Sequence, residues 1–180
     1  MRPMYSDTEV KGILQSLTVL CDTREQANNH ITSFFERNKI PHKIQKLSTA
    51  DYTAALPALP EYGINRPVCF DNSIVIERKG CLEELSGNLT NERGRIKNEF
   101  MRAKGRRVYL IIEGATLDDI VNHNYNTRFS EKAFYASLLS LQEAFNINVL
   151  FTSKPLTGKH IYSLLYYHVR NYLLGGSNDE

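Results

Sequence analysis

An aliphatic run that ends in one acid and two bases is the first place in this chain where chemistry could occur. Residues 74–76 are Ile, Val and Ile, and they precede Glu77, Arg78 and Lys79. Side chains alternate along a strand, so Glu77 and Lys79 are expected on one face and Arg78 on the other. On the face that it shares with Glu77, Lys79 could orient an attacking water or stabilise a negative transition state. Arg78 is better suited to organising Glu25 or a neighbouring loop. Without partners, the three residues could equally be a solvated strand end.

Two more acids follow strand-like segments. Asp22 comes after the run 17–21, and Asp51 comes after the alternating segment 43–47. A single sheet could therefore bring Asp22, Asp51 and Glu77 together at one edge. Three carboxylates in one pocket repel one another unless cations are bound, and hard oxygen ligands suit Mg²⁺ or, as an alternative, Mn²⁺. Such an ion supplies what phosphodiester hydrolysis needs. The simpler interpretation of Asp22 is a turn residue or a helix N-cap.

Alternating strands and helices would position these side chains, and the alternation predicts an α/β fold of three layers. The central β-sheet should be mixed and flanked by helices, because the region 43–79 resembles consecutive antiparallel strands. An almost wholly apolar segment at 108–112 is typical of a central strand covered on both faces. Hydrophobic periodicity predicts strands at 17–21, 43–47, 51–55, 67–70, 73–79, 108–112 and 148–151, and helices at 26–38, 90–104, 130–145 and 157–174, with a short capped helix after Thr116.

Length and composition indicate one domain in a reducing compartment. The 180 residues suit a single core, and we expect an N-terminal extension at 1–16, a domain at 17–174 and a flexible tail at 175–180. The three cysteines have no CxxC spacing, which argues against a disulfide framework or a zinc ribbon. There is no apolar leader and no uncharged apolar run of about 18 residues. We therefore expect a cytoplasmic protein that does not contact a membrane.

Basic residues are concentrated in one segment, although the net charge of the chain is only +2. Residues 91–107 contain seven Arg or Lys residues and two Glu residues. The helix predicted there would bury an apolar stripe, so most of these bases should face outward and could follow the phosphates of a nucleic acid. An ordinary solvated helix is the alternative interpretation. The candidate DNA contacts are Arg93, Arg95, Lys97 and Arg102.

Three segments taken together resemble one nuclease family. They are Val-Leu-Cys-Asp-Thr-Arg-Glu at 19–25, Ala-Asp-Tyr at 50–52 and the stretch beginning Val-Ile-Glu-Arg-Lys at 75–85. The nuclease domain of the XPF family of structure-specific DNA endonucleases carries D-x-R-E, G-D-Y and E-R-K-x-x-x-D segments in this order. The resemblance extends over residues 18–151. It implies a restriction-endonuclease-like fold and Mg²⁺-dependent cleavage of DNA near branch points, flaps, forks or junctions. It also implies metal-binding acids at Asp22, Asp51 and Glu77, and accompanying active-site positions at Glu25, Arg78 and Lys79.

Two positions depart from the family pattern. The final Asp of the family falls on Glu83, whose side chain is one methylene longer, and Glu84 is a less suitable substitute. The Gly of the G-D-Y segment is Ala50, which strains the backbone only if that position needs a positive φ. Neither change removes a metal-binding charge, so we expect an active enzyme. The alternative is a catalytically degenerate subunit that binds branched DNA or pairs with an active partner.

The resemblance also bears on partners and setting. Family members usually pair through their nuclease domains, which implies a homodimer or a protein partner at the helices 130–145 or 157–174. Packing within the monomer explains these helices equally well. A stand-alone domain resembles bacterial and phage versions, which implies recombination, repair or phage DNA processing in the cytoplasm of a bacterial or phage-infected cell. The polar segment 122–128, with an aromatic expected to be exposed, is interpreted as a connecting loop, and a contact with a nucleic-acid backbone or an unstacked base is the alternative.

Overall fold

The computed structural model describes residues 5–175. Within this range the chain forms seven strands and seven α-helices, so the predicted α/β character is confirmed. The strands are β1 (Thr18–Cys21), β2 (His42–Ile44), β3 (Tyr52–Leu56), β4 (Val68–Cys69), β5 (Ile74–Lys79), β6 (Arg107–Glu113) and β7 (Ile147–Thr152). The helices are α1 (Asp7–Leu14), α2 (Asn29–Arg37), α3 (Leu82–Thr90), α4 (Arg93–Arg102), α5 (Leu117–Val121), α6 (Glu131–Phe145) and α7 (Thr157–Leu173).

One mixed sheet contains all seven of these strands. Its order is β2-β1-β3-β5-β6-β7, and β4 pairs with β3. Strand β1 runs parallel to β2, and β5, β6 and β7 run parallel to one another. Strand β3 is antiparallel to β1, β4 and β5, which confirms a mixed sheet. The prediction of consecutive antiparallel pairing was wrong for β2. Because α2 carries the chain across, β2 lies beside β1 in parallel.

Helices cover both faces of the sheet and create two hydrophobic cores. On one face, called the α2 face below, α1, α2 and α7 pack against the sheet through side chains that include Phe35 and Ile161. On the other, called the α4 face, α3 to α6 pack through side chains that include Leu85 and Phe134. The molecule therefore has the three layers that the sequence predicted.

Strands β5 and β6 alternate between the two cores. Ile74 and Ile76 of β5 lie in the core on the α2 face, whereas Val75 lies in the core on the α4 face. Strand β6 sends Ile111 to the first core and Leu110 to the second, which confirms a central strand covered on both sides. The same alternation decides which face each polar residue at the strand ends occupies.

Helices α3 and α4 replace one helix that was predicted at 90–104. The N-cap position of α3 is Cys81, which is not a typical capping residue and makes no capping hydrogen bond through its side chain, so the start of α3 was not predicted. The apolar stripe is buried as expected. Helix α3 places Glu83 and Glu84 in its first turn, directly after β5.

The described part of the predicted N-terminal extension packs onto the domain. Ser6 and Glu9 form a capping box at the start of α1. Val10, Ile13 and Leu14 lie in the core on the α2 face. The predicted tail lies outside the described residues apart from Gly175, so the division into extension, domain and tail stays a prediction. None of the helices between residues 5 and 175 has the length and apolar character needed to cross a membrane.

Candidate active site

The two faces of β5 carry different chemistry. Glu77 and Lys79 share the α4 face with Val75, and Arg78 lies on the α2 face, as the alternation predicted. Lys79 Nζ lies 2.6 Å from Glu77 Oε1. Burial lowers the pKa of Lys79, but the charge of Glu77 and the hydrogen bond to it outweigh burial, so the pKa is raised. Lys79 is therefore held as an ammonium, which donates hydrogen bonds and accepts none.

Asp51 approaches this pair from the neighbouring strand. Its backbone N–H donates to the Ile76 carbonyl oxygen at 3.0 Å, and its Oδ2 accepts from the backbone N–H of Arg78 at 2.8 Å. Burial raises the pKa of Asp51 well above its ordinary value, and the charge of Glu77 raises it further. Burial also raises the pKa of Glu77, against the effect of Lys79. The two acids therefore oppose each other's ionisation, a condition that a bound cation relieves.

Asp51 and Glu77 fit a divalent cation. Glu77 Oε2 is buried and has no hydrogen-bond partner, so this oxygen is available as a ligand. Mg²⁺ typically uses one or two protein carboxylates and completes its octahedron with water and phosphate oxygens. Among residues 5–175, no group of three or more His, Cys, Asp and Glu side chains is placed to hold one metal ion. The described residues therefore bring together a pair of candidate ligands and not the predicted three.

Asp22 is engaged elsewhere, although its backbone N–H donates to the Asp51 carbonyl oxygen at 2.7 Å. Its Oδ1 accepts from the backbone N–H of Arg24 at 2.8 Å and from the Arg24 Nε at 2.6 Å. Its Oδ2 accepts from the backbone N–H of Leu47 at 2.6 Å. Burial raises the pKa of Asp22, but these donors outweigh burial and the pKa is lowered. The contact with Arg24 two residues on is the turn geometry that the sequence left open as the simpler interpretation.

Arg78 anchors the segment after β1 from the opposite face of the sheet. Its Nη2 donates to Glu25 Oε1 at 2.7 Å and to the Ala27 carbonyl oxygen at 3.3 Å. Its Nη1 donates to Glu113 Oε2 at 2.8 Å. The predicted contact with Glu25 is confirmed. The side chains of Arg78, Glu25 and Glu113 are each at most 9% exposed, so Arg78 organises protein groups and does not reach DNA.

Sequence reasoning missed Glu113 and His30. Glu113 ends β6, the parallel neighbour of β5, and its Oε1 lies 2.6 Å from His30 Nε2. A signal was present, because the apolar run 108–112 ends in an acid, the pattern that also singled out Glu77. His30 carries no comparable signal. It lies in the first turn of α2, and its contact with Glu113 depends on the fold.

The two adjacent acids of α3 point to different places. Glu83 Oε1 accepts from the backbone N–H of Asn126 at 2.8 Å. Glu84 Oε2 accepts from the backbone N–H of Gly80 at 2.9 Å, and Glu84 Oε1 lies 3.5 Å from Lys79 Nζ. Glu83 was expected to replace the final Asp of the family, with Glu84 as the less suitable substitute, whereas in the structure Glu84 is the acid that lies beside Lys79. Consecutive residues of a helix are about 100° apart around its axis, so only one of the two can face β5.

Ala50, which stands where the family has glycine, adopts a positive φ that favours glycine. Its φ is +59°, in the left-handed region. For a residue with a Cβ atom this region costs roughly 1–2 kcal/mol. The condition for strain is thus met, immediately before Asp51. The Ala50 side chain is buried on the α4 face, so its methyl group also contributes packing.

The four candidate DNA contacts lie exposed on α4, but they do not share one face. Arg95 and Arg102 flank Glu99 at helical spacings of four and three residues. Glu99 borders the site, because its charge adds to burial in raising the pKa of Glu77. Arg93 and Lys97 instead line a shallow groove between α4 and α6. The structure therefore brings two of the four predicted contacts, Arg95 and Arg102, toward the candidate site.

The segment 122–128 is fixed to α3, and its aromatic residue is not exposed. Tyr125 is 9% exposed, stacks on His123 and donates its hydroxyl to the Phe129 carbonyl oxygen at 2.7 Å. Ser86 Oγ and Thr127 Oγ1 lie 2.9 Å apart and tie the loop to α3. The expectation of an exposed aromatic was wrong, because Tyr125 packs into the core on the α4 face.

Comparison with known proteins gives one family and one fold. The family model of the ERCC4 domain matches residues 21–164. Among solved structures, XPF from Aeropyrum pernix has a TM-score of 0.62 at 23% sequence identity, covering 91% of this chain and 65% of that chain. XPF from Aeropyrum pernix in complex with DNA has a TM-score of 0.59 at 23% identity, covering 85% of this chain and 65% of that chain. Comparison with curated proteins gives no match.

These similarities settle the fold. The predicted three-layer, restriction-endonuclease-like α/β fold is confirmed by the match to XPF. This chain spans 65% of the length of both XPF chains. The family model extends from the last residue of β1 into α7 and so covers most of the described residues. The protein therefore belongs to the ERCC4 domain family, the family of the XPF nuclease domain.

Proposed function

We propose that this protein is a Mg²⁺-dependent, structure-specific DNA endonuclease that hydrolyses phosphodiester bonds near flaps, forks or junctions, with Mn²⁺ as an alternative cation. The observation that carries the proposal is the pair formed by the half-buried Asp51 and the buried Glu77 beside the ammonium of Lys79. Membership of the ERCC4 domain family supports it. Two neighbouring acids can hold a metal ion, and a fixed ammonium beside them can stabilise negative charge, which is what metal-assisted hydrolysis of DNA uses.

Asp51 and Glu77 would hold the metal ion. When bound, Mg²⁺ makes a coordinated water more acidic and neutralises charge on the phosphoryl oxygens. The backbone N–H of Arg78 fixes one oxygen of Asp51, and Lys79 fixes one oxygen of Glu77. Each carboxylate is thereby oriented by a hydrogen bond on one oxygen. The orientation reduces the rearrangement needed to bind an ion.

Lys79 would act as a donor and not as a base. Its raised pKa keeps it protonated at neutral pH, so it could orient the attacking water or stabilise negative charge in the transition state. Glu84, 3.5 Å from Lys79 Nζ, would help to place the ammonium. Glu25 and Arg78 would serve as positioning residues, because they bind each other on the α2 face. Asp22 would add a third ligand through Oδ2, which accepts one hydrogen bond, from the backbone N–H of Leu47, while Oδ1 keeps its contacts with Arg24.

DNA would approach along α4. Arg95 and Arg102 stand beside Glu99 near the site and could bind the phosphates next to the bond that is cut. Arg93 and Lys97 could contact phosphates farther along the duplex. The similarity in fold to an XPF structure in complex with DNA supports DNA binding as such, and the exposed bases of α4 are the reason for choosing this surface.

Partners, setting and domain limits belong to the same proposal. We assign a single nuclease domain to residues 17–174, acting in recombination, repair or phage DNA processing in the cytoplasm of a bacterial or phage-infected cell. A homodimer or a protein partner could use the outer surface of α6 or that of α7, which lie on opposite sides of the sheet. Exposed apolar side chains support such a surface, namely Tyr135, Leu139 and Tyr167.

A catalytically degenerate, DNA-binding subunit is the second candidate. The observation that favours it is the engagement of Asp22, whose two carboxylate oxygens already accept hydrogen bonds from protein donors. The test is incubation of the protein with flap, fork and four-way-junction DNA, with Mg²⁺ and separately with EDTA. Cleavage of at least one DNA structure in the presence of Mg²⁺, and of none in the presence of EDTA, supports the endonuclease. Binding without cleavage under every condition supports the degenerate subunit.

A further inference from the structure

We propose that Glu113 and His30 are positioning residues that hold the segment carrying Asp22 and Glu25 against the end of β5. The inference deepens the proposed nuclease function and rests on it. Both residues act from the α2 face, opposite the face on which the candidate metal ligands lie. Their effect on the reaction would therefore pass through Arg78.

Glu113 bridges two cationic or hydrogen-bonding partners. Its Oε1 lies 2.6 Å from His30 Nε2, and its Oε2 accepts from Arg78 Nη1 at 2.8 Å. The Glu113 side chain is 3% exposed and the Arg78 side chain 5% exposed. Charge-assisted hydrogen bonds are strong in such surroundings, and removing Glu113 would leave Arg78 with only one of its two carboxylate partners, Glu25. Glu113 therefore fixes the guanidinium of Arg78 in place.

The segment from Glu25 to His30 is tied to the strand ends at three points. Arg78 binds the Glu25 carboxylate and the Ala27 carbonyl oxygen, and Glu113 binds His30. These ties link the segment between β1 and α2 to both β5 and β6. Since the two strands are parallel neighbours, one acid at the end of β6 can reach both the arginine and the histidine.

Ile31 anchors the first turn of α2 in the core, and the contacts of Glu113 and His30 add a polar tie at the same end. The N-cap residue of α2, Asn28, makes no capping hydrogen bond through its side chain. Asp22 lies in the same segment, and its carbonyl oxygen accepts from the backbone N–H of Glu25 at 3.2 Å. Loosening the contacts of Glu113 and His30 would therefore also loosen the turn that carries Asp22.

Arg78 links the contacts of Glu113 on the α2 face to the candidate metal ligand Asp51. Its backbone N–H donates to Asp51 Oδ2 at 2.8 Å, so a fixed arginine also fixes the peptide unit that orients Asp51. Gly80 leaves room for this arrangement, because a Cβ atom at residue 80 would lie only 3.2 Å from Arg78 Nη1. The guanidinium is thus closely confined between Glu113 and the chain after β5.

The first experiment needs neither DNA nor metal. Hydrogen exchange of backbone amides is compared in the unmodified protein, Glu113→Gln and His30→Gln, with Glu143→Gln as a control that makes the same change on the surface of α6. We expect exchange at residues 22–30 to become at least about tenfold faster in the first two variants, and α6 to be unaffected. Unchanged exchange at 22–30 would overturn the proposal. If Glu113→Gln fails to fold, His30→Gln decides.

The second experiment measures kcat and KM on branched DNA with Mg²⁺. We expect Glu113→Gln to lower kcat at least about tenfold while KM stays within about threefold, because misplaced groups slow the reaction and the residue does not face DNA. Faster exchange together with an unchanged kcat would overturn the positioning role. If the unmodified protein cuts no branched DNA, the proposed function fails, and the exchange experiment still decides whether Glu113 fastens the segment.

Discussion

Glu84 Oε1 lies 3.5 Å from Lys79 Nζ, and the other oxygen of Glu84 accepts a hydrogen bond from the backbone of Gly80. Glu83, one residue earlier, turns away and accepts from the backbone of Asn126. The register of α3 therefore decides which of two adjacent acids belongs to the site. Substitution of each acid in turn should separate their effects on activity.

Glu84→Gln should lower the rate of Mg²⁺-dependent cleavage of branched DNA by about tenfold, because the amide no longer holds the ammonium of Lys79 by its charge. Glu83→Gln is the matched control and should change the rate by less than about threefold. Single-turnover cleavage measures both variants. A larger loss from Glu83→Gln than from Glu84→Gln would contradict the geometry of the site.

Ala50→Gly should leave the protein as stable or raise the free energy of unfolding by up to about 1 kcal/mol. Relief of the left-handed strain exceeds or balances the entropy cost of glycine and the loss of the buried methyl group. Ala54→Gly, at a buried strand position outside the left-handed region, is the control and should lower the free energy of unfolding by about 1 kcal/mol. Urea unfolding measures both. Equal destabilisation by the two changes would show that Ala50 carries no strain.

His168 should make stability depend on pH in mildly acidic solution. Burial lowers its pKa from 6.5 to about 4, and the charge of Arg107 acts in the same direction. The unfolded chain therefore takes up the proton first, so the free energy of unfolding should fall by about 1–3 kcal/mol as the pH drops from about 6.5 to about 4. His168→Gln, which keeps a group able to hydrogen-bond Ser73, should remove this part of the pH dependence. An identical pH profile for the variant and the unmodified protein would exclude His168 as its source.

The two pairs of bases on α4 should contribute differently to DNA binding. Charge reversal at Arg95 and Arg102 should weaken binding of branched DNA at least about tenfold, and should reduce the slope of log affinity against log salt by about one for each phosphate that is no longer bound. Charge reversal at Arg93 and Lys97, on the groove beside α6, is the comparison and should have a smaller effect. Fluorescence anisotropy at several salt concentrations measures both pairs. If the variant with charge reversal at Arg95 and Arg102 binds DNA with unchanged affinity and an unchanged salt dependence, these two residues are not part of the DNA-binding surface.

The sequence was most informative where a local period decides the outcome. Alternation along β5 correctly placed Glu77 and Lys79 on one face and Arg78 on the other, because the period of two is a property of the strand itself. The contact of Arg78 with Glu25 followed from the same argument and is confirmed. Strand β6 was identified as central for the related reason that an uninterrupted apolar run requires cover on both faces.

The sequence was least informative where neighbouring groups compete or where distant segments meet. Asp22 was expected to bind a metal ion together with Asp51 and Glu77, and the sequence did not show that its carboxylate also accepts hydrogen bonds from Arg24 and from the backbone of Leu47. A pattern of charges does not reveal such local hydrogen bonds. The contact between His30 and Glu113 joins residues 83 positions apart and depends on the whole sheet being formed.

Replacement of Glu77 and Lys79 tests the central proposal most directly. Glu77→Ala and Lys79→Ala are compared with the surface control Glu131→Gln for cleavage of flap, fork and junction DNA in Mg²⁺, with circular dichroism confirming that each variant is folded. We predict that the unmodified protein and Glu131→Gln cut at least one branched structure, and that both site variants lose cleavage by at least about a hundredfold. Cutting at the unmodified rate by both site variants would contradict the proposed active site.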